Sequence, residues 1–209
     1  EIGIFADEKA LVVERFDRRF TQDGRLLRLP QEDCCQALGV PPTLKYESQG
    51  GPGMVAILEL LKESDQPLED RKAFITAQIL FWMMGATDGH AKNFSLFIRP
   101  GGRFRLTPLY DVISLLPVYA AHQIRRNQMK LAMAVGDSRH YRLDKIAPRH
   151  FEQTAKKAGL DVRIVEEVFE TIRTKVPDVL SAVDRDLPDD VPSFIRNPIF
   201  EALEKHATD

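Results

Sequence analysis

LEDRKAFITAQILFWMMGATDGHAKNF, residues 68–94, joins a long apolar helical pattern to a loop dense in polar groups. Phe74, Ala77, Phe81 and Met84 recur at helical spacing on one face, while Ile75, Ile79, Leu80, Trp82 and Met83 spread over the other sides. A helix apolar around most of its circumference belongs inside a core. Directly behind it, Asp88, His90, Lys92 and Asn93 fall within six residues. Asp and Asn are ordinary turn formers, so a D-x4-N spacing alone reads equally well as a solvated loop. A rigid helix feeding an acid, an imidazole, a cation and an amide asks for more context.

Downstream, FSLFIR and RFRLTPLY read as two strands joined by PGG, and Asp111 closes that hairpin 23 residues after Asp88. The order is acid, four residues, amide, hairpin, acid. Kinase-like phosphoryl transfer needs this set of parts. One carboxylate accepts or orients the proton of the attacking hydroxyl, and an amide oxygen with a second carboxylate suits Mg²⁺, a hard ion that takes oxygen ligands. The hairpin folds the chain back so that the two ligands face one phosphate. Within the loop, His90 is placed to orient Asp88 or to touch a phosphate. Lys92 reads as a phosphate-neutralising cation or as a solvated lysine, and Tyr110 as core or cleft wall.

Upstream, Ile2 to Ala6 and Ala10 to Phe16 read as a β-hairpin across DEK. TQDGR is a polar stretch. Pro30, Glu32 and Asp33 suit a helix start, with Gly39 as its stop. KYESQGGPG is a loop by its glycines and proline. MVAILELLKES places Met54, Ile57, Leu58 and Leu61 on one buried helical face. MKLAMAV reads as a further strand. From Leu143 the pattern is helical: IAPRHFEQTAKKAG, VRIVEEVFETIRTKV, and a last helix near Ile195 to His206, set off by Pro188 and Pro192. The fold class is α+β, mainly helical, with β-hairpins at its corners. The chain opens on Glu1, inside the first hairpin, so a fragment of a longer polypeptide is expected.

At 209 residues and 44% hydrophobic, the chain can bury one substantial core, or two small lobes around a cleft. Charged residues are 29% and the net charge is −2, so the surface as a whole does not call for nucleic acid or membrane. Locally, seven Lys or Arg stand against two Asp between Ala121 and His150, which reads as a solvated basic face or as a face for nucleic acid or an acidic partner. No apolar stretch approaches the roughly 20 residues that span a bilayer. Cys34 and Cys35 are adjacent, which gives neither an ordinary disulfide nor a zinc site and points to a reducing cytoplasm.

The segments VERFDRR, LRLPQED, KYESQGGPG, GATDGHAKNFS, LTPLYDVIS, KLAM and DKIAPRHF, in this order, resemble the HipA family of serine/threonine kinase toxins over about residues 10 to 160. The resemblance implies the C-terminal lobe of a protein-kinase-like fold, with residues 1–20 as hinge hairpin, 21–142 as catalytic core and 143–209 as helical tail. It implies Asp88 as the catalytic aspartate, Asn93 and Asp111 as Mg²⁺ ligands, and His90, Ala91, Lys92, Asn93, Tyr110 and Asp111 as parts of the ATP site. Glu14, Arg15 and Phe16 resemble the hinge strand that pairs with adenine, with Asp17 near the ribose. By themselves these residues read as a buried strand. The family's phosphate loop, with its regulatory serine, and its nucleotide lysine lie upstream of the hinge. The N-terminal lobe is thus expected to be absent, and the chain alone inactive. Gln49, Gly50 and Gly51 belong to another loop.

The resemblance also implies partners: a HipB-type helix-turn-helix antitoxin, operator DNA through the toxin–antitoxin pair, and a protein substrate such as an aminoacyl-tRNA synthetase. Lys156 falls near a DNA-backbone contact of the family, but Gly159 replaces a second basic contact. Two other readings use the same residues. Aminoglycoside-type phosphotransferases also place an Asn five residues after a catalytic Asp, which would make a small-molecule kinase. A non-catalytic antitoxin- or operator-binding module would need only the scaffold.

Overall fold

The computed structural model describes residues 2–6, 8–188 and 190–208. Two small hairpins open the chain: β1 (Ile2–Phe5) with β2 (Glu8–Leu11), then β3 (Arg18–Phe20) with β4 (Leu26–Arg28). The polar TQDGR stretch, which gave no strand signal, is the turn of the second. Arg25 N–H bonds Thr21 Oγ1 at 3.0 Å and Gly24 takes φ +81°. Between the hairpins, residues 12–16 are not part of a strand, so the expected strand to Phe16 ends at Leu11.

β5 (Gln31–Asp33) occupies what reads as a helix start, and α1 (Cys34–Ala37) begins only where Asp33 caps it, accepting from Gln36 N–H at 2.9 Å. α2 (Met54–Leu60) follows the glycine loop, with Met54, Ile57 and Leu58 buried. α3 (Pro67–Met84) is the long apolar helix. β6 (Ser95–Ile98) and β7 (Phe104–Leu106) form the expected hairpin, to which β5 adds a third antiparallel strand in the order β5-β6-β7. Then come α4 (Leu116–Ala120), β8 (Lys130–Val135) paired with β9 (His140–Arg142), α5 (Pro148–Lys157), α6 (Val162–Asp186) and α7 (Ser193–Thr208). This is the α+β, mainly helical class, its strands all in short antiparallel pairs or triplets.

The core wraps α3. Phe74, Ile75 and Ile79 are fully buried there, with Phe94 of the following loop meeting Phe74 edge-on at 4.8 Å. Truncating a ring of this kind typically costs about 3–5 kcal/mol. Even polar residues of α3 are buried, and each has a partner. Asp70 accepts from Arg105 at 3.0 Å and from Leu106 N–H at 3.1 Å. Arg71 donates to Ala158 O at 2.5 Å, satisfying the C-terminal carbonyls of α5, and Trp82 Nε1 donates to Leu143 O at 3.2 Å. α3 therefore holds β7, α5 and the chain before α5 in one frame. No helix among the described residues is long and apolar enough to cross a membrane.

The expected helix VRIVEEVFETIRTKV ends before Pro177, yet α6 runs through Pro177 to Asp186. Its buried face, Val165, Val168, Phe169, Ile172, Val176 and Leu180, continues across the proline. Packing against α3, α5 and α7 outweighs the one backbone bond that proline forfeits.

At the start of α5, His150 Nδ1 accepts from Ala147 N–H at 3.1 Å, and the His150 ring stacks on His140 at 4.2 Å. Burial, then the neighbouring His140 and Arg149, hold the His150 pKa below its ordinary 6.5. A folded-state pKa below the unfolded value means that the unfolded chain takes up the proton first. The His150 contribution is thus complete above about pH 6.5 and is lost as pH falls below it. His150→Gln keeps an acceptor at the third helical position. Its thermal midpoint is expected to fall less steeply between pH 7 and pH 5 than that of the parent; equal slopes would refute this role.

Candidate active site

The polar loop is positioned by how α3 ends. Gly85 takes φ +63°, and its N–H satisfies Phe81 O and Trp82 O, stopping the helix. A Cβ at Gly85 would come within 2.9 Å of Leu116 Cγ. The same turn is tied to the segment after Asp111: Leu115 N–H bonds Gly85 O at 2.9 Å and Ser114 Oγ bonds Met84 O at 2.5 Å. Gly89 lies against Phe81, where a Cβ would meet the ring at 2.5 Å. The loop then closes on itself through His90 N–H to Asp88 O at 2.8 Å and Asn93 N–H to His90 O at 2.9 Å.

Asn93 and Asp111 are brought together as their spacing predicts. Asn93 is buried and donates Nδ2–H to Asp111 Oδ2 at 2.8 Å. Its Oδ1 is buried and has no hydrogen-bond partner. An orphaned acceptor of this kind is costly unless something completes it. Asp111 adopts φ +56°, a left-handed conformation that aspartate tolerates better than most residues but that still costs on the order of 1 kcal/mol. An amide oxygen without a donor beside a carboxylate is an oxygen pair suited to a hard cation. Among the described residues no group of three or more His, Cys, Asp or Glu could cage a metal alone. An ion here would be completed by water and ligand oxygens, the usual situation of Mg²⁺. Tyr110 locks this corner: its hydroxyl donates to Lys92 O at 2.6 Å and pairs with Ser95 Oγ at 2.5 Å.

Asp88 stands on the other flank, its side chain 56% exposed, and Oδ1 accepts from Tyr46 Oη at 2.7 Å. His90 lies between the acids. Its Nε2 is 3.9 Å from Asp88 Oδ2, its ring meets the Tyr46 ring edge-on at 5.1 Å, and the charges of Asp88 and Asp111 both act on it. Burial dominates and lowers the His90 pKa, so the ring is neutral near pH 7. Lys92 is paired rather than free, its Nζ 2.7 Å from Asp33 Oδ2, with its side chain 35% exposed.

A cleft of about 1010 Å³ runs beside this cluster. Glu14, Arg15, Phe16 and Asp17 line it together with Lys92, Tyr110 and Asp111. Residues 14–16 reach the cleft as unpaired chain rather than as a sheet strand, and Phe16 packs on Phe97 at 5.6 Å and Tyr110 at 5.9 Å. Asp17 is buried, and its oxygens are taken up by Arg15 at 2.9 and 2.7 Å and Arg18 at 2.5 Å. The Arg15 hydrogen bond, against burial, brings its pKa down to about 2. Ala91 is fully buried and lines neither this cleft nor the groove beside Asp88. Lys156 stands exposed on the last turn of α5 and lines neither this cleft nor the groove beside Asp88. Tyr46 and Asp33 gave no site signal in the sequence. Tyr46 is 42 residues from Asp88, and only the folding of the KYESQGGPG loop joins them. There Gly51 lies so close to Leu44 O that a Cβ would stand 2.0 Å away.

The sequence pattern of the family described as HipA-like C-terminal domain matches residues 1–180. The chain is 34% identical over 180 residues to "Putative kinase Y4mE" of Sinorhizobium fredii, covering 86% of this chain and 41% of that protein. It is 32% identical over 149 residues to the serine/threonine-protein kinase toxin HipA of Shewanella oneidensis, covering 66% of this chain and 33% of the toxin. A solved structure of the Shewanella oneidensis MR-1 HipA, HipB and operator DNA complex superposes with a TM-score of 0.85 at 26% identity, over 99% of this chain and 50% of its counterpart. The chain thus spans well under half the length of these curated relatives.

The Tyr46–Asp88 bond has a spectroscopic signature. Donation to Asp88, then burial, raises the Tyr46 pKa from 10.0 to about 12. In an ultraviolet titration of the tyrosines, Tyr46 is expected to ionise last and to return toward 10 in Asp88→Asn. An unchanged curve would mean that the bond does not form in solution.

Proposed function

Because the chain belongs to the HipA-like C-terminal domain family, we propose that it is the catalytic lobe of an ATP- and Mg²⁺-dependent serine/threonine protein kinase toxin. The observation that carries the chemistry is the orphaned Asn93 Oδ1 beside the Asp111 carboxylate, with a second acid, Asp88, held apart from them by Tyr46. Asn93 and Asp111 would hold Mg²⁺. When bound, MgATP would supply the γ-phosphoryl group, which passes to the acceptor hydroxyl oxygen while ADP leaves. Asp88 takes the proton of that hydroxyl. Tyr46, occupying Oδ1, leaves Oδ2 toward the acceptor. His90, its pKa lowered by burial, brings a neutral ring rather than a further cation to the loop.

The cleft wall formed by residues 14–16 would face the nucleotide base, and Tyr110 would fix the backbone of Lys92 against it. Asp17, fully engaged by Arg15 and Arg18, serves the ribose side by holding those arginines rather than by offering a free oxygen. The likeness to a HipA that is solved with HipB and operator DNA supports a HipB-type antitoxin as partner, with operator DNA reached through that pair. A translation protein such as an aminoacyl-tRNA synthetase is the proposed substrate, and the cytoplasm the proposed location.

In the whole protein, Asp88→Asn is expected to lower phosphoryl transfer from ATP to protein serine or threonine by roughly 10²–10⁴-fold, the range of a lost general base. Asp111→Asn should abolish the Mg²⁺ dependence and the growth arrest on expression. Arrest as strong as wild type in Asp111→Asn, or turnover of a small metabolite without any phosphoprotein, would overturn the proposal.

A further inference from the structure

Asp88 does not line the cleft that holds Asp111. It lines a second groove, of about 570 Å³, on its other side. Tyr46 shares that wall. Opposite, the β8–β9 hairpin and the turn after it present Lys130, Arg139, Arg142 and Lys145. These are four of the seven cations in the basic stretch from Ala121 to His150, so the fold gathers most of that excess beside one carboxylate.

Two of the four have acid partners, but the pairs are lopsided. Arg139 meets Glu47 at 3.1 Å with its own side chain 59% exposed and that of Glu47 only 13%. Arg142 meets Asp144 at 2.7 Å with exposures of 40% and 18%. Each carboxylate lies behind its guanidinium, which fixes the fork and leaves it turned outward. Glu47 is further held by Ala134 N–H at 2.5 Å. Lys130 is exposed and makes no ion pair among the described residues, and Lys145, also exposed, adds its charge around Asp144. The groove thus shows solvent a rim of cations around one exposed acid.

We propose that this groove receives the acceptor segment of the substrate protein and selects one carrying Asp or Glu beside the acceptor serine or threonine. The identity of the occupant rests on the kinase reading above; the charge preference rests on the groove. A hydroxyl must reach Asp88, and this groove reaches it without crossing the Asn93–Asp111 pair. A neutral serine or threonine meets the acid without repulsion, while flanking carboxylates meet the cations. A nucleic-acid backbone laid through the same groove would set a phosphate against Asp88.

The test is binding of fluorescent serine peptides to the whole protein at low salt, without nucleotide, followed by anisotropy. One peptide carries acidic residues on both sides of the serine and its control carries neutral ones. The acidic peptide is expected to bind about tenfold more tightly, a difference that added salt erodes. Lys130→Glu with Lys145→Glu should erase the difference, and the corresponding alanine pair should remove part of it; both variants are checked for an unchanged thermal midpoint. Equal affinities for the two peptides would overturn the proposal. So would charge reversals that weaken binding of a structured RNA while leaving the acidic peptide unaffected. Acid preference without any phosphoryl transfer would uphold the groove and count against the kinase reading alone.

Discussion

Burial of most of α3 is the constraint on which the rest depends, with Leu68, Ala73 and neighbours near its start left exposed. Its buried residues lie on several sides, so it is stable only when β7, α5, α6, α7 and the loop after it close around it. That closure leaves the helix one exit, at Gly85, where a left-handed residue turns the chain across the end of the helix. The polar loop inherits the rigidity of its support. Gly89 laid on Phe81 and Phe94 set edge-on against Phe74 pin the loop, and the segment after Asp111 is bonded to the same turn. Precision in the site comes from the core, not from the loop.

In the site, Asn93 is buried with one acceptor left unsatisfied, while Asp111 beside it is exposed in the cleft. Asp88 is exposed and held by a neutral hydroxyl. Lys92 and Asp17, both in the cleft wall, are already engaged by Asp33 and by two arginines. Cation-rich surface is kept to the far side of Asp88. An acid that must accept a proton and acids that would hold a metal work best when not neutralised by the same cations.

What was legible followed from periodicity and turn chemistry. The face of α2, the length of α3, the PGG hairpin and the MKLAMAV strand came from spacing alone, because burial imposes those spacings. The pairing of Asn93 with Asp111 was legible because a hairpin of known length separates them. The β3–β4 hairpin was missed because its strands are three residues long and exposed, too short for any alternation. The run of α6 past Pro177 was missed because local chemistry says stop, while the buried stripe says continue, and the stripe is a tertiary fact.

The sequence by itself determined the class of the fold, the buried helix and the acid, amide and acid in order, since each is a local pattern or a short-range closure. Its resemblance to the HipA family added roles to those residues. Only the tertiary structure decided which neighbours they have. Tyr46 on Asp88, Asp33 on Lys92, and four cations across a groove from Asp88 are contacts over tens of residues. No spacing encodes them, because they arise where the glycine loop and the β8–β9 hairpin pack against the end of α3. Long-range contacts of that kind are fixed by how the core closes, and the core is a property of the whole chain.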